Sequence, residues 1–293
     1  MSTSCRKWKE RIPRTAVIMA LLIGWPWTPT AKTLASPWAE SVVSYDNGAG
    51  AAAGFDNPQA ALGSPERFTG EGVFPGAVTI FNPPFGTDEI VSIGESGQLT
   101  VHFGSPIEDD PANLFGTDLI VFGNTGFIDS DFPNGQISAP AALFGIDFAT
   151  VEVSADGVNF LPVGGMGNGL FPTQGFLDVA PFQSTPGSVP TNFLKPVDPA
   201  LTLSDFDGLT YPQALALYDG SGGGIPIDIT DAGLPSVSYV RITVLDDGDP
   251  TTALTAEIDA LANVPEPATL SLVALGGLLL LSRFKKEAGE GLK

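Results

Sequence analysis

Through the middle of the chain, apolar and polar residues alternate in short runs separated by clusters of Gly, Pro, Asn and Asp. In residues 98–103 (QLTVHF), Leu99, Val101 and Phe103 fall on one face and Thr100 and His102 on the other. That two-residue period predicts an antiparallel strand with one buried face. Residues 237–245 repeat it, with Val240, Ile242 and Val244 opposing Arg241 and Thr243. Residues 253–261 do so again, setting Leu254, Ala256, Ile258 and Ala260 against Thr255, Glu257, Asp259 and Leu261. The unbroken run 118–122 (DLIVF) predicts a central strand covered on both faces. Residues 148–154 and 158–163 flank Asp156-Gly157, which predicts a hairpin whose tight turn takes its positive φ values from that pair. Only residues 212–218 predict a helix, a short one, and no repeat of fixed period is present. The fold expected is all-β: a single jelly-roll-like β-sandwich with long loops.

The two ends follow a different pattern. Residues 1–35 begin with Arg6, Lys7, Lys9, Arg11 and Arg14, continue through an apolar run from Ala16 to Trp27, and reach the small-residue site Thr33-Leu34-Ala35. This is the pattern of a secretory signal peptide, and Pro26 with the short apolar run favours cleavage over a retained anchor. At the other end, residues 268–281 form an apolar run followed at once by Arg283, Lys285 and Lys286. The run is short for a spanning helix, which takes about 20 residues, yet a tilted or thin-bilayer fit accommodates it. Positive residues stay cytoplasmic, so the run is expected as one short transmembrane helix, with residues 287–293 a cytoplasmic tail and everything before Ala268 outside. Just upstream stands Val264-Pro265-Glu266-Pro267, an extended segment because each proline fixes its own φ and disfavours helix in the residue before it.

Together these three features, in this order, resemble the PEP-CTERM sorting signal of bacterial surface proteins. The resemblance covers residues 264–286 and implies that Val264, Pro265, Glu266 and Pro267 form the signal, with Arg283, Lys285 and Lys286 the stop-transfer cluster. It further implies processing by an exosortase, a membrane protease, in bacteria that make extracellular polysaccharide. The chain departs from the pattern in its longer tail, EAGEGLK, after Lys286.

Composition sharpens the picture of the middle. Among 293 residues there are 35 Gly and 26 Pro, and only 16% are charged against about 25% in ordinary proteins, which argues against a helical fold. With 43% hydrophobic residues and 19 Phe there is still ample apolar material for a core. Between the terminal signals, residues 36–263 hold Arg67, Lys195 and Arg241 against 29 acidic residues, a net charge of −26. Nucleic acid is thereby excluded as a partner, since phosphate binding needs clustered Lys or Arg. Such a surface attracts divalent cations. The one cysteine, Cys5, lies in the predicted signal peptide, so disulfides and thiolate chemistry are not expected in the exported body.

Enzymatic chemistry finds little footing. His102, the sole imidazole, lies on an alternating strand with no Gly-x-Ser-x-Gly elbow near any serine, and GGMGNG at 164–169 lacks a phosphate-binding Lys. The chain is therefore not expected to be an enzyme, although a carboxylate-only glycan hydrolase needs just two suitably spaced acids. Calcium is the more plausible chemistry, because acidic Gly-containing loops supply its six to eight oxygens at short spacing. The acidic loops are Asp246-Asp247-Gly248-Asp249, Asp129 with Asp131, Asp205 with Asp207, and Glu108-Asp109-Asp110; none matches an EF-hand. Sugar-stacking residues are sparse: Trp38, Tyr45, Tyr211, Tyr218 and Tyr239, with Phe55, Phe68, Phe74, Phe81 and Phe85 expected as core and loop anchors.

A second resemblance rests on three motifs. VEVSADGVNFLPV (151–163), SYVRITVLDDGD (238–249) and TAEIDAL (255–261) are similar to the hairpin, penultimate strand and closing strand of galactose-binding-like and discoidin-like jelly rolls. In calcium-binding members of that fold an early loop and a closing-strand glutamate hold the ion. The resemblance therefore implies a structural calcium at Asp56 or Asn57 together with Glu257. The expected function is that of an exported, surface-sorted protein with a structural or adhesive role in the envelope or the extracellular polysaccharide matrix. A calcium-dependent carbohydrate-binding module is the first alternative, and a carboxylate-based glycan hydrolase the second.

Overall fold

The computed structural model describes residues 36–166, 170–248 and 254–265. The predicted signal peptide and the apolar run 268–281 lie outside the described residues. Among the described residues no helix is long and apolar enough to cross a membrane.

Nine strands carry the architecture: β1 (Ser41–Asp46), β2 (Val91–Gly94), β3 (Gln98–Glu108), β4 (Leu119–Gly123) and β5 (Thr150–Ser154), followed by β6 (Leu161–Gly165), β7 (Ile225–Ile227), β8 (Ser236–Thr243) and β9 (Thr255–Asn263). Helix α1 (Tyr211–Tyr218) precedes β7, at the predicted place. The strands form a five-stranded sheet in the order β1-β3-β8-β5-β6 and a four-stranded sheet in the order β7-β4-β9-β2. Every pairing within both is antiparallel. Their facing sides share one apolar core, to which β3 gives Leu99, Val101 and Phe103, β8 gives Val240 and Ile242, β4 gives Leu119 and Val121, and β9 gives Ala256 and Ile258.

The predicted alternation of β3 and β8 is therefore observed. Thr100, on the far side of β3, is also buried, since it sits between Ser44 and Arg241 in the sheet. On that outer face Arg241 lies opposite Glu152 and makes a two-point ion pair, Nε to Oε2 at 2.8 Å and Nη2 to Oε1 at 2.7 Å.

The smaller sheet is covered twice, as the run 118–122 predicts. Leu119 and Val121 enter the inter-sheet core, while Ile120 and Phe122 join Ala260, Ala262, Val264 and Phe193 on the opposite side. Beyond lies a layer of long connections with its own core, where Phe81, Phe127, Phe171 and Phe206 pack around Tyr211 and Tyr218 of α1. Gln174 is its polar pin: fully buried, it donates from Nε2 to the Tyr211 hydroxyl at 2.6 Å and accepts the Ile80 N–H at 3.1 Å.

Two expectations need correction. The hairpin joining β5 and β6 is real, but its first paired residues are Val153 and Leu161, so the connection is a seven-residue loop and not a two-residue turn. Only Gly157 has positive φ (73°); Asp156 instead caps the loop by accepting the Val158 and Asn159 N–H groups, both at 2.8 Å. In β9 the period of two breaks at a bulge between Ile258 and Ala260. Leu261 thus faces the inter-sheet core, and Ala260 faces away from the side occupied by Ala256 and Ile258.

Candidate functional site

The carboxylates of the predicted acidic loops divide by what already holds them. Asp129 accepts the N–H groups of Asp131, Gly135 and Gln136 at 2.9–3.0 Å, Asp205 accepts from Thr202 at 2.7 Å, and Asp207 accepts from Ala141 at 2.6 Å. These side chains organise turns and caps. Among the described residues two other sets bring three carboxylate oxygens within 4.8 Å of one another: Glu95 with Asp246 and Asp247, and Asp109 with Asp118 and Asp228.

The residues expected to hold calcium are not in either set. Asp56 is exposed. Asn57 caps the short 3₁₀ turn Pro58–Ala61 by accepting the Gln59 N–H. Glu257 lies opposite Ser92 and accepts its Oγ at 3.4 Å. Ser92 also ties this strand pair to the loop that carries Asp56, because its N–H donates to Phe55 O at 2.8 Å and its Oγ accepts the Ala52 N–H at 2.9 Å.

Two carboxyls that no sequence pattern marks are buried. Asp147 accepts the Glu257 N–H through Oδ1 at 2.9 Å, while Oδ2 is buried with no partner. Burial, reinforced by the Glu257 charge, pushes its pKa far above the usual carboxylate range. The adjoining cavity, lined by Val121, Gly123, Thr125, Phe171 and Ile225, has room for about one water. At the β9 bulge, Asp259 accepts the Glu66 N–H, and burial again drives its pKa strongly upward, with Glu66 and Glu89 adding like charge.

The predicted stacking residues are mostly committed to packing. Tyr211 and Tyr218 are buried, Tyr45 donates its hydroxyl to Ser92 O at 2.7 Å, and Tyr239 lies against His102 with ring centroids 4.9 Å apart. The exposed aromatic surface comes instead from Phe, with Phe74 at 79% and Phe132 at 72% exposure. Phe74 is thus a projecting tip and not the anchor the sequence suggests.

The remaining candidate is the end of the fold. Asn263, last residue of β9, donates its N–H to Pro37 O at 2.7 Å, and Val264 donates to Asp118 O at 2.8 Å. Val264 is itself buried in the cluster outside the small sheet. Pro265 is the last described residue; Glu266, Pro267, Arg283, Lys285 and Lys286 lie outside the described residues. The PEP-CTERM protein-sorting motif matches residues 263–286. This is an exported protein, sorted by an exosortase. No curated protein matches the chain. The motif of this sorted protein overlaps the fold by two residues, Asn263 and Val264, which serve the closing strand and the signal at once.

Proposed function

We propose that the exported protein is a non-enzymatic structural or adhesive component of the cell surface or of the extracellular polysaccharide matrix. Residues 1–35 act as a cleaved signal peptide, residues 36–263 are a jelly-roll domain, and residues 268–281 span the membrane until the exosortase acts. The carrying observation is the sorting motif placed directly on the closing strand, with no second domain between. Strand order supports the jelly roll. With β1 set aside as an added edge, the sheets read β2-β9-β4-β7 and β3-β8-β5-β6, eight strands in two interleaved Greek keys. The non-enzymatic reading is supported by the placement of the two carboxyls with strongly raised pKa: Asp147 and Asp259 are buried and accept the backbone N–H groups of Glu257 and Glu66.

Expression in an exosortase-bearing host tests the assignment. The wild-type chain is expected at the surface or in the medium, shortened at its C-terminus, whereas Glu266→Ala is expected to accumulate in the membrane at full mass. Equal processing of both chains would refute the role given to the Pro-Glu-Pro segment. A second reading, calcium-dependent carbohydrate contact with the ion at Asp56, Asn57 and Glu257, is favoured by the Ser92 link between their two segments. Glycan-array binding that disappears with chelator is its expected signature.

A further inference from the structure

We propose that Asp109, Asp118 and Asp228, with the Asn113 side-chain oxygen, form a binding site for a hard divalent cation, calcium, at the entry to β4. Three carboxylate oxygens converge there within 4.8 Å. No basic side chain of the body serves them. Arg67 donates to Gly175 O and Thr191 O, Lys195 pairs with Asp219, and Arg241 pairs with Glu152. Like charges held this close repel unless a cation or a proton intervenes.

Asp118 is the fixed member. It is fully buried, and its oxygens are oriented by Asp110 N–H at 3.2 Å, Asn113 Nδ2 at 2.9 Å and Ile229 N–H at 3.2 Å. A carboxylate has about four acceptor positions, so these three donors leave room for a metal. Asp109 and Asp228 are each steadied by Thr230, whose Oγ donates to Asp109 at 2.9 Å and whose N–H donates to Asp228 at 2.8 Å.

The independent sign of a ligand is Asn113. Only 5% exposed, it is pinned against Asp118 through Nδ2, and its Oδ1 is buried with no donor. An unpartnered amide oxygen on a side chain bonded to the central carboxylate of the three makes a surplus of acceptors that a cation satisfies and a further hydrogen-bond donor does not match as well. Four oxygen-bearing side chains drawn from irregular loops suit calcium, which accepts six to eight oxygens in flexible geometry, better than magnesium with its strict octahedron. Bound there, the ion would join the connection between β3 and β4 to that between β7 and β8. The inference rests on the export reading only for the supply of calcium, and a binding measurement is blind to location, so either can fail alone.

Titration calorimetry on the full chain in mild detergent, freed of metal by chelator, decides it. Calcium chloride is expected to bind and to raise the melting temperature. Asp109→Asn and Asp228→Asn are expected to weaken this binding by about tenfold or more, because affinity follows the ligand charge count. Both residues reach solvent, and a native circular dichroism spectrum verifies their folding. Glu95→Gln, in the other carboxylate set, is expected to bind as wild type does. Absence of calcium heat in the wild type, unchanged affinity in both Asn variants, loss confined to the Gln variant, or equal affinity for magnesium chloride would each overturn the proposal.

Discussion

Asp147 holds a carboxyl where water does not solvate it, and its unpartnered Oδ2 makes the ionised form unfavourable. The folded chain therefore binds this proton more tightly than the unfolded chain, whose carboxyl has an ordinary pKa near 3.8. In the window above that value the folded state carries the extra proton, so the Asp147 contribution to stability is greatest at acid pH and declines as pH rises toward the folded pKa. Glu152 has the opposite sign. The Arg241 hydrogen bond lowers its pKa, and its contribution is present at neutral pH and lost as pH falls through the acid range. Asp147→Asn keeps an acceptor for the Glu257 N–H and removes the buried charge. It is expected to stabilise the fold at pH 7 by about 1–2 kcal/mol. Melting curves should show that advantage shrinking toward pH 4. An advantage that grows on acidification would contradict the buried-acid account. Arg67 is a second decisive residue: its guanidinium lies 3.9 Å from the Phe193 ring centroid and donates to Thr191 O at 3.0 Å. Arg67→Ala is expected to lower stability by about 2–3 kcal/mol, seen as a melting drop of several degrees.

At the scale of strands, the legible parts were those whose burial follows a regular period. β3 and β8 each have one face on the shared core, and their alternation survives intact because nothing interrupts the ladder beside Leu99–Ile242 or Val101–Val240. β4 was legible for a different reason: its four consecutive apolar residues require cover on both faces. The β9 bulge was not legible, because Ala260 and Leu261 are both apolar and either fits the core side. The layer around α1 escaped for want of any period, its aromatic residues being delivered by irregular backbone. Asp109 was visible as part of an acidic loop, but its convergence with Asp118 and Asp228 was hidden. Their proximity arises from the pairing of β7 with β4, so no local spacing announces it. That same pairing makes Gly224 irreplaceable. Its φ is +84°, and a Cβ there would meet Phe122 Cε1 at 2.8 Å. Gly224→Ala is expected to cost about 2 kcal/mol or more, and denaturant unfolding would reveal a loss near zero if β7 could shift instead.

For the molecule as a whole, a body charge of −26 is a continuous self-repulsion that the folded state confines to a smaller volume than the unfolded chain does. Monovalent salt shortens its range from about 10 Å at 0.1 M to about 3 Å at 1 M. The melting temperature is therefore expected to climb with sodium chloride across that interval; a flat or falling response would show that charge is dispersed too widely to matter. The sorting motif was readable from residue types alone, because its recognition depends on prolines, charge order and an apolar length. How closely it adjoins the fold required coordinates.

That closeness bears on how the protein is displayed. Hydrogen bonds hold the backbone of Asn263 and Val264, and the ring of Pro265 locks its φ, so the sorting motif begins on held backbone at one end of the small sheet and not on a tether.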